Sequence, residues 1–462
     1  MNTLTKNIKQ VYLIGIGGIG MSALARYYAN IKLTVAGYDL TPSSLTKKLV
    51  SEGIAVQFDD NTNIIPTPFI NTPQQTLVVY TPAIPTTNNL LQYFRNNSYR
   101  VLKRAEALGL ISEDYQTAAV AGTHGKTSTS TLLAHILNQT SEGCNAFVGG
   151  ISKNFASNVL LNSNSNRLVV EADEYDRSFL NLKPNVAIIT SIDADHLDIY
   201  NTHNEVKRAF SSFISNIKNG GNLIIKSDIK SIADGCQNIK VYTYSIDEKA
   251  DFYPSELTNK NGIYTFNLAT PFGVIKNLTL GVPGKFNVEN SIAASAAAVL
   301  WGINEQNLKE GLSSFKGISR RFDLQHQGKS IFIDDYAHHP TEIKAAIASL
   351  KEMFPKRRIA GVFQPHLYSR TRDFAADFAK SLSLLDELIL LDIYPAREQP
   401  IPGVTSKIIF DKVQCKSKKF CSTHELIDVL NDTEIDILIT MGAGNIDREV
   451  PKIVELLKQK EQ

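Results

Sequence analysis

The sequence predicts an α/β fold with mostly parallel sheets, divided into three domains. Seven short apolar runs have the length and composition of buried parallel strands; they are Val11–Ile14, Leu168–Val170, Val186–Thr190, Ile331–Ile333, Ile359–Phe363, Leu388–Leu391 and Ile437–Met441. Stretches with the helical spacing of apolar residues follow most of them, and such alternation is typical of parallel sheets. At roughly 150 residues per domain, the 462 residues indicate about three domains.

Composition excludes several classes of protein. Lys and Arg total 48 and Asp and Glu total 46, and this net charge of +2 argues against nucleic-acid or anionic-membrane binding. Hydrophobic residues make up 43% and charged residues 20%, which excludes global disorder. No run approaches the ~18 apolar residues that span a bilayer, and the start lacks a signal-peptide core, so we expect a cytoplasmic protein without membrane insertion. The four cysteines are far apart, which indicates thiols in a reducing compartment rather than a disulfide framework or a zinc site.

Two polar stretches predict the domain boundaries. Ser112–Gln116 precedes the strand Thr117–Ala121, and Lys316–Arg321 follows an alanine-rich helix and its neighbour. We therefore predict domains at residues 1–113, 114–317 and 318–462. Within the middle domain, Tyr242–Leu280 contains short alternating runs, IYTFNL and GVIKNLTL, which indicate inserted antiparallel strands.

A glycine-rich turn lies near the N-terminus, between a predicted strand and a helix. It contains Gly15, Gly17, Gly18, Ile19 and Gly20 in a G-x-G-x-x-G pattern. Glycines let the backbone approach a pyrophosphate, and the helix N-terminus directs N–H groups toward it. Asp39 lies about 20 residues on, where an acidic side chain can accept hydrogen bonds from a ribose. The pattern favours a nucleotide diphosphate over a plain tight turn and leaves NAD, FAD and UDP-sugars open.

A second glycine-rich loop follows the strand Thr117–Ala121. It comprises Gly122, Thr123, His124, Gly125, Lys126, Thr127 and Ser128. The loop departs from G-x-x-x-x-G-K-[ST], because Val120 occupies the first glycine position. It still predicts ATP binding rather than a chance turn, with Lys126 at the β- and γ-phosphates and Thr127 on Mg²⁺.

Acidic residues follow two further strands, at the edge where parallel sheets bind their ligands. Glu171 ends the run RLVVE, and His196 lies in DADHLD, after NVAIIT. A cation that bridges ATP phosphates prefers oxygen ligands, so we predict that Glu171 and His196 bind Mg²⁺ together with Thr127. For the neighbouring Glu174, Asp176 and Asp198 we predict only a solvated loop with helix caps.

A comparable cluster lies in the C-terminal third of the chain. The segment IFIDDYAHHPTEI supplies Asp335, Tyr336 and His338, and GVFQPHLYSRTRDF supplies Arg370. A carboxylate and an imidazole at a strand tip can orient an amine and take its proton, while arginines can clamp a carboxylate. Arg320 and Arg321 can reach toward ATP in the same way. Surface ion pairs and helix capping are the alternative for any one of these residues.

Taken together, the motifs resemble the Mur ligase family. The resemblance runs through essentially the whole chain and rests on GIGGIGMSALA, AGTHGKTSTS, EADEYDRSFLNLKP, SIDADHLDIY, GKFNVENSIAA, RRFD, DDYAHHPTEI, FQPHLYSRTRDF and YPAREQPIPG. The GTHGKT loop alone also fits folylpolyglutamate synthases. The segments DDYAHHP and QPHLYSRTR are similar to the branch of the family that attaches L-alanine.

The resemblance implies a Rossmann-like N-terminal domain for UDP, a central P-loop ATPase-type domain and a Rossmann-like C-terminal domain for the amino acid. It also implies an ATP-dependent ligase in peptidoglycan synthesis, in which the phosphorylated carboxylate of UDP-N-acetylmuramic acid is attacked by L-alanine. Such an enzyme would use ATP and Mg²⁺, bind no nucleic acid, and be a monomer or a weak dimer.

The resemblance also carries residue roles. Lys126, Glu171, His196, Asp335, His338 and Arg370 would be catalytic, Asn290 would contact adenine, Arg321 would face phosphate, and Tyr336, His338 and Arg370 would hold L-alanine. The sequence departs from the expected pattern at Leu367, where many relatives would have arginine. A carboxylate contact is therefore missing or replaced.

Three other functions compete with this interpretation. A ligase that adds a preformed tripeptide to the same sugar shares the first two motifs and needs a roomier C-terminal pocket. An NAD-dependent dehydrogenase would explain the first glycine-rich turn and Asp39, and would leave the GTHGKT loop without a role. A P-loop switch protein would hydrolyse ATP independently of any sugar nucleotide.

Overall fold

Parallel strands followed by helices make up most of the described chain, which comprises residues 7–193, 200, 202–260, 262–396 and 398–461 of a computed structural model. The chain divides into two units. The first consists of Met1–Glu256, Phe266–Leu278 and Glu289–Phe315, and the second of Leu257–Thr265, Thr279–Val288 and Lys316–Gln462. The first unit contains two large sheets and the second contains one, and each unit has its own candidate site.

A five-stranded parallel sheet opens the first unit, in the order β3-β2-β1-β4-β5. Its strands are β1 (Gln10–Ile14), β2 (Thr34–Tyr38), β3 (Ala55–Gln57), β4 (Thr76–Tyr80) and β5 (Arg100–Lys103). Its helices are α1 (Ile19–Asn30), α2 (Ser44–Ser51), α3 (Thr67–Asn71), α4 (Asn89–Asn96) and α5 (Arg104–Glu113). The central strand β1 is buried throughout, as its apolar sequence requires.

A seven-stranded sheet follows, in the order β12-β11-β10-β6-β9-β7-β8. Its strands are β6 (Gln116–Ala121), β7 (Asn145–Ser152), β8 (Ser157–Leu160), β9 (Arg167–Glu171), β10 (Val186–Ile189), β11 (Asn222–Lys226) and β12 (Lys240–Tyr244). The edge strand β8 is antiparallel to β7, and the other pairs are parallel. The associated helices are α6 (Lys126–Leu137), α7 (His203–Ser215), α8 (Lys285–Leu300) and α9 (Glu305–Ser313).

The predicted insertion is a three-stranded sheet in the order β13-β14-β15. Its strands are β13 (Tyr253–Lys260), β14 (Ile263–Thr270) and β15 (Gly273–Leu280). Two-residue connections between consecutive strands require antiparallel neighbours. The predicted start at Tyr242 is wrong, because Tyr242–Tyr244 belongs to β12, which pairs in parallel with β11.

The second unit contains a six-stranded sheet in the order β16-β17-β21-β18-β19-β20. Its strands are β16 (Asp323–Gln327), β17 (Ile331–Asp335), β18 (Ile359–Phe363), β19 (Glu387–Leu390), β20 (Ser417–Phe420) and β21 (Ile437–Met441). Only β16 is antiparallel to its neighbour among these described strands. Its helices are α10 (Pro340–Met353), α11 (Tyr368–Asp373), α12 (Ala375–Leu382), α13 (Lys407–Phe410), α14 (Leu426–Asn431) and α15 (Val450–Lys460).

The seven predicted strands are all confirmed. The two glycine-rich turns and the segment with Arg370 follow the carboxyl ends of strands, and Glu171 and Asp335 are the last residues of theirs. The predicted linker Ser112–Gln116 is shorter than expected, since α5 continues to Glu113 and β6 begins at Gln116. Across the residues that the structure describes, no helix is both long enough and apolar enough to cross a bilayer.

Candidate active site

The first glycine-rich turn is held in shape by Asp39, which follows β2. The N–H of Gly17 donates to one carboxylate oxygen of Asp39 at 2.7 Å, and the N–H of Thr41 donates to the other at 3.2 Å. The observed role of Asp39 is therefore to fix the turn. The contact with a ribose that we predicted for Asp39 stays a prediction.

The same turn leaves the N-terminus of α1 open. Gly15 has a φ of +86°, and a Cβ there would lie 2.4 Å from the side chain of Thr81, so the position requires glycine. Helix α1 begins at Ile19 after Gly18, and no side chain caps it. Its first N–H groups are therefore available to an anion.

The second loop joins β6 to α6, and two of its residues can only be glycine. Gly122 has a φ of +133°, and a Cβ there would lie 2.0 Å from Oγ1 of Thr190. Gly125 has a φ of +83° and precedes α6, and its Cβ would lie 2.6 Å from Oδ1 of Asn290. Asn290 thus lies against the loop, as its predicted role in nucleotide binding requires.

Residues from the end of β10 hold the middle of this loop. Oγ1 of Thr123 accepts the N–H of Asp193 at 2.9 Å, and the N–H of His124 donates to Oγ of Ser191 at 2.9 Å. No side chain caps the N–H groups of the first turn of α6, which includes Ser128. The N–H groups at the start of α6 therefore form the open cradle that phosphate binding needs.

Lys126, the first residue of α6, forms a buried ion pair with Glu174. Its Nζ lies 2.8 Å from a carboxylate oxygen of Glu174, which is 2% exposed, and donates to the carbonyl of Gly122 at 2.6 Å. Burial lowers the pKa of Lys126, but the Glu174 carboxylate and two other acidic groups outweigh this and raise it. The prediction that Glu174 is merely solvated is wrong. Asp176 does form a half-exposed pair with Lys103, and Asp198 lies outside the described residues.

Glu171 is oriented by two hydrogen bonds. Oγ1 of Thr127 donates to one carboxylate oxygen at 3.1 Å, and the N–H of Gly149 donates to the other at 2.7 Å. His196, the third predicted metal ligand, lies outside the described residues. Within the described chain, no three His, Cys, Asp or Glu side chains are grouped as a metal site. The hydroxyl of Thr127 and the carboxylate of Glu171 nevertheless fit Mg²⁺, which binds few protein oxygens and keeps phosphate and water ligands.

A cavity of about 310 Å³ joins the first glycine-rich turn to Glu171. Its wall includes Gly18 and Gly20 from the turn, Arg104 from α5, and Gly149 and Glu171 from the seven-stranded sheet. The guanidinium of Arg104 lies 3.5 Å from Asp173 and closely approaches Gly20. A ligand anchored at the turn can therefore extend toward the second loop past a fixed positive charge.

In the second unit, Asp335 ends β17 and accepts two backbone hydrogen bonds. The N–H of Phe322 donates to it at 2.9 Å and the N–H of Ala337 at 2.7 Å. Burial raises the pKa of Asp335 to about 7, although the nearby Arg321 guanidinium opposes this shift. A carboxylate with such a pKa can change its charge near neutral pH, which suits a group that receives an amine.

His338 lies on the loop between Asp335 and α10. Its Nδ1 is 3.0 Å from the carbonyl oxygen of Tyr336, so we assign the proton to Nδ1 and leave Nε2 as an acceptor. Burial lowers the pKa of His338 to about 4, and the charge of Arg370 acts in the same direction. Asp335, Tyr336 and His338 therefore lie together, and Arg370 lies near enough for its charge to act on His338.

Arg320 connects three segments of the second unit. Its guanidinium donates to the carbonyls of Gly442 at 2.6 Å and Gly444 at 3.3 Å, and lies 3.5 Å from Asp334. The guanidiniums of Arg320 and Arg321 also lie 5.1 and 4.9 Å from the ring centroid of Tyr336. Arg320 is thus bound to groups of its own unit, and its predicted contact with ATP stays a prediction.

Three residues of the first site were not found from the sequence. Glu174 lies in the acidic run after β9, but nothing in that run separates a buried carboxylate from a solvated one. Arg104 opens the helix after β5, and its position at a strand end was an available signal. Gly149 lies within β7, where a glycine in a strand can mark the close approach of another group.

Three family models match successive parts of the chain. The Mur ligase family catalytic domain matches residues 10–116, the Mur ligase middle domain matches 120–298, and the Mur ligase glutamate ligase domain matches 320–444. A protein of Phocaeicola vulgatus called UDP-N-acetylmuramate–L-alanine ligase is 49% identical over 98% of this chain and 99% of its own length. The chain belongs to the Mur ligase family.

Two further Mur ligases support this assignment. A UDP-N-acetylmuramate–L-alanine ligase of Porphyromonas gingivalis is 50% identical over 98% of this chain and 99% of its own. The crystal structure of a UDP-N-acetylmuramate–alanine ligase from Thermotoga maritima has a TM-score of 0.81 and 27% identity, and covers 98% of this chain and 99% of that one. The three-domain α/β fold of the Mur ligases is therefore confirmed for this chain, and the dehydrogenase and switch-protein alternatives are set aside.

Proposed function

We propose that this Mur ligase joins the carboxylate of UDP-N-acetylmuramic acid to the amine of L-alanine, with conversion of ATP to ADP and phosphate. The reaction supplies a precursor of peptidoglycan. The full-length identity of 49–50% with two ligases of that name supports the choice of substrates. The observation that carries the proposal is the cavity shared by the first glycine-rich turn and Glu171, because a substrate held at the turn can extend to Glu171, which accepts a hydrogen bond from Thr127 of the second loop.

Phosphoryl transfer is the first step. The carboxylate of the sugar attacks the γ-phosphorus of ATP, ADP leaves, and an acyl phosphate forms. Lys126 supplies positive charge to the transferring group, and the N–H groups of the loop hold the phosphates. Mg²⁺ bound by Thr127 and Glu171, with His196, would neutralise phosphate charge. The guanidinium of Arg104 attracts the sugar's carboxylate and so holds that end of the sugar nucleotide in the cavity.

Amide formation is the second step. The amine of L-alanine attacks the acyl carbon, the carbon–oxygen bond to phosphate breaks, and the amine loses a proton. Nε2 of His338 accepts that proton, because its Nδ1 already carries one. Ionised Asp335 orients the ammonium form before attack, and Arg370 binds the carboxylate of the amino acid.

Transfer of oxygen tests the acyl phosphate directly. Sugar nucleotide with ¹⁸O at both carboxylate oxygens is incubated with enzyme, ATP and L-alanine. The ¹⁸O content of the released phosphate is then measured by mass spectrometry. One ¹⁸O atom in each phosphate is expected. Unlabelled phosphate, with amide product formed at the normal rate, would exclude this mechanism.

A comparison of amino substrates distinguishes the proposed ligase from the tripeptide-adding alternative. Phosphate release is measured with L-alanine, glycine, L-serine and a preformed tripeptide, each with the same sugar nucleotide. We expect L-alanine to give the highest kcat/KM. Exclusive use of the tripeptide would reverse the choice of substrate and leave the family unchanged.

The remaining expectations are proposals of the same kind. We propose cytoplasmic location, domain boundaries at 113/114 and 317/318, and a monomer or weak dimer. Limited proteolysis with mass mapping tests the boundaries, since exposed links are cut first. Sedimentation over a range of concentrations tests the oligomeric state.

A further inference from the structure

Two residues of the segment YPAREQPIPG, at positions 394–403, contact the backbone just before Arg370. The proposed mechanism gives this segment no role. Leu367, which precedes α11, has a φ of +69° and a ψ of 140°. A bulky residue rarely adopts a positive φ, and such strain persists only where neighbouring groups impose it. Something must therefore hold the backbone on both sides of Leu367.

Tyr394, the first residue of that segment, supplies part of this restraint. Its N–H donates to the carbonyl of Pro365 at 2.8 Å, and its carbonyl accepts the N–H of Leu367 at 3.0 Å. Its ring stacks on His366, with centroids 5.9 Å apart and planes 16° apart. The backbone is thus tied before and after His366.

Glu398 restrains the backbone that follows Leu367. One of its carboxylate oxygens accepts the N–H of Ser369 at 3.0 Å, and the other accepts the hydroxyl of Ser369. Burial opposes ionisation, but these hydrogen bonds lower the pKa of Glu398, so the carboxylate is charged at neutral pH. Ser369 is the second residue of α11 and directly precedes Arg370.

We propose that Glu398 is a positioning residue for Arg370, which it serves by fixing the first turn of α11 through Ser369. The proposal rests on the proposed function, in which Arg370 binds the carboxylate of the amino substrate. Arg370 lies close enough to His338 for its charge to lower the pKa of that imidazole. A small rotation of α11 would therefore move the guanidinium within the amino-acid pocket.

The chain offers a matched control for this carboxylate. Glu425 accepts the N–H and the hydroxyl of Ser422, both at 2.8 Å, just before α14 and outside the candidate site. Glu398→Gln and Glu425→Gln each remove a carboxylate that accepts the N–H and the hydroxyl of one serine; that serine is 29 residues away for Glu398 and three residues away for Glu425. A purely structural role predicts a loss of Tm in each variant and no kinetic difference between them.

Steady-state kinetics on the full-length enzyme test the proposal. In Glu398→Gln we expect KM for the amino substrate to rise roughly tenfold, the effect of weakening one charge-assisted contact, with kcat and the other two KM values within about twofold. Glu425→Gln should leave all constants unchanged. Unchanged KM in Glu398→Gln would overturn the proposal.

A double-mutant cycle shows whether the effect passes through Arg370. In an Arg370→Lys background, Glu398→Gln should raise KM little further, because the group being positioned is already altered. Full additivity would assign Glu398 a role independent of Arg370 and overturn the proposal. The wild-type enzyme is first assayed with L-alanine and with the tripeptide, and the double-mutant cycle is measured with the substrate that it accepts. An error in the proposed substrate is thereby detected separately from an error in the role of Glu398.

Discussion

The Nζ atom of Lys126 lies 2.8 Å from a carboxylate oxygen of Glu174, and the two side chains are only 13% and 3% exposed. A lysine withdrawn from water in this way keeps its charge because the carboxylate offsets the loss of hydration. The pair therefore holds a charged ammonium at the start of α6, where phosphate would bind.

Removal of the Glu174 carboxylate should cost far more stability than removal of an exposed one. Glu174→Ala leaves a buried ammonium without its closest carboxylate, for which we expect a loss of about 3–5 kcal/mol in the free energy of unfolding. Asp176→Ala breaks the half-exposed pair with Lys103 and should cost at most ~1 kcal/mol. Urea unfolding of both variants checks this, and losses of equal size would contradict the buried ion pair.

Replacement of Lys126 should separate chemistry from substrate binding. Lys126→Ala removes one contact to the transferring phosphoryl group, so we expect kcat to fall about 10²–10³-fold, or ~3–4 kcal/mol. The sugar nucleotide is anchored at the turn after β1, so its Kd, measured by calorimetry, should stay within about twofold. A parallel loss of both in a folded variant would mean that the two phosphate sites are not distinct.

Gly149→Ala should disturb the metal site without altering any ligand. A Cβ at this position would lie 2.4 Å from a carboxylate oxygen of Glu171, so the carboxylate must move. Loss of a supporting contact typically weakens metal binding by about 10–100-fold, and we expect the Mg²⁺ concentration for half-maximal rate to rise in that range. An unchanged Mg²⁺ dependence would show that Glu171 is not a ligand.

The neutral imidazole of His338 should make stability depend on pH. Its folded pKa of about 4 lies below the ordinary value of 6.5, so its contribution is complete above pH 6.5 and is lost as pH falls toward 4. The full effect is about 3 kcal/mol, at ~1.4 kcal/mol per pH unit between these values. Glu342 and Tyr336 favour protonation, whereas burial, Arg370 and Arg321 oppose it.

A His338→Gln variant isolates this dependence from that of Asp335. The raised pKa of Asp335 has the opposite effect on stability. Because the folded state disfavours the ionised carboxylate, the free energy of unfolding falls as pH rises from about 4 to about 7. Both enzymes carry Asp335, so the difference between their unfolding free energies reports His338 alone. This difference should grow from pH 4.5 to pH 6.5 and then level off; a flat difference would mean that folding leaves the pKa of His338 unshifted.

The fold was predictable because buried parallel strands have a simple pattern. Strands such as Ile359–Phe363 and Ile437–Met441 agree with the structure at both ends, since they are almost wholly apolar and are bounded by polar residues or glycine. The pattern failed at Tyr242–Tyr244, because these alternating residues belong to β12, the edge strand of a parallel sheet. An edge strand with one solvated side has the same alternation as a hairpin strand.

The candidate site was predictable where chemistry depends on local sequence. Gly122–Ser128 could be placed between a strand and a helix because the loop is continuous in sequence. The partners of these residues come from distant segments, and a single sequence gives no distance between Lys126 and Glu174. The positive φ of Leu367 was likewise hidden, because leucine itself gives no sign of that backbone conformation.

The loop at Gly122 and Gly125 has a consequence for inhibitor resistance. A compound that recognised its main-chain N–H groups would bind atoms that no substitution removes, and side chains at the two glycines would collide with Thr190 or Asn290. An organism that relied on this enzyme would therefore have few single mutations by which to escape such a drug.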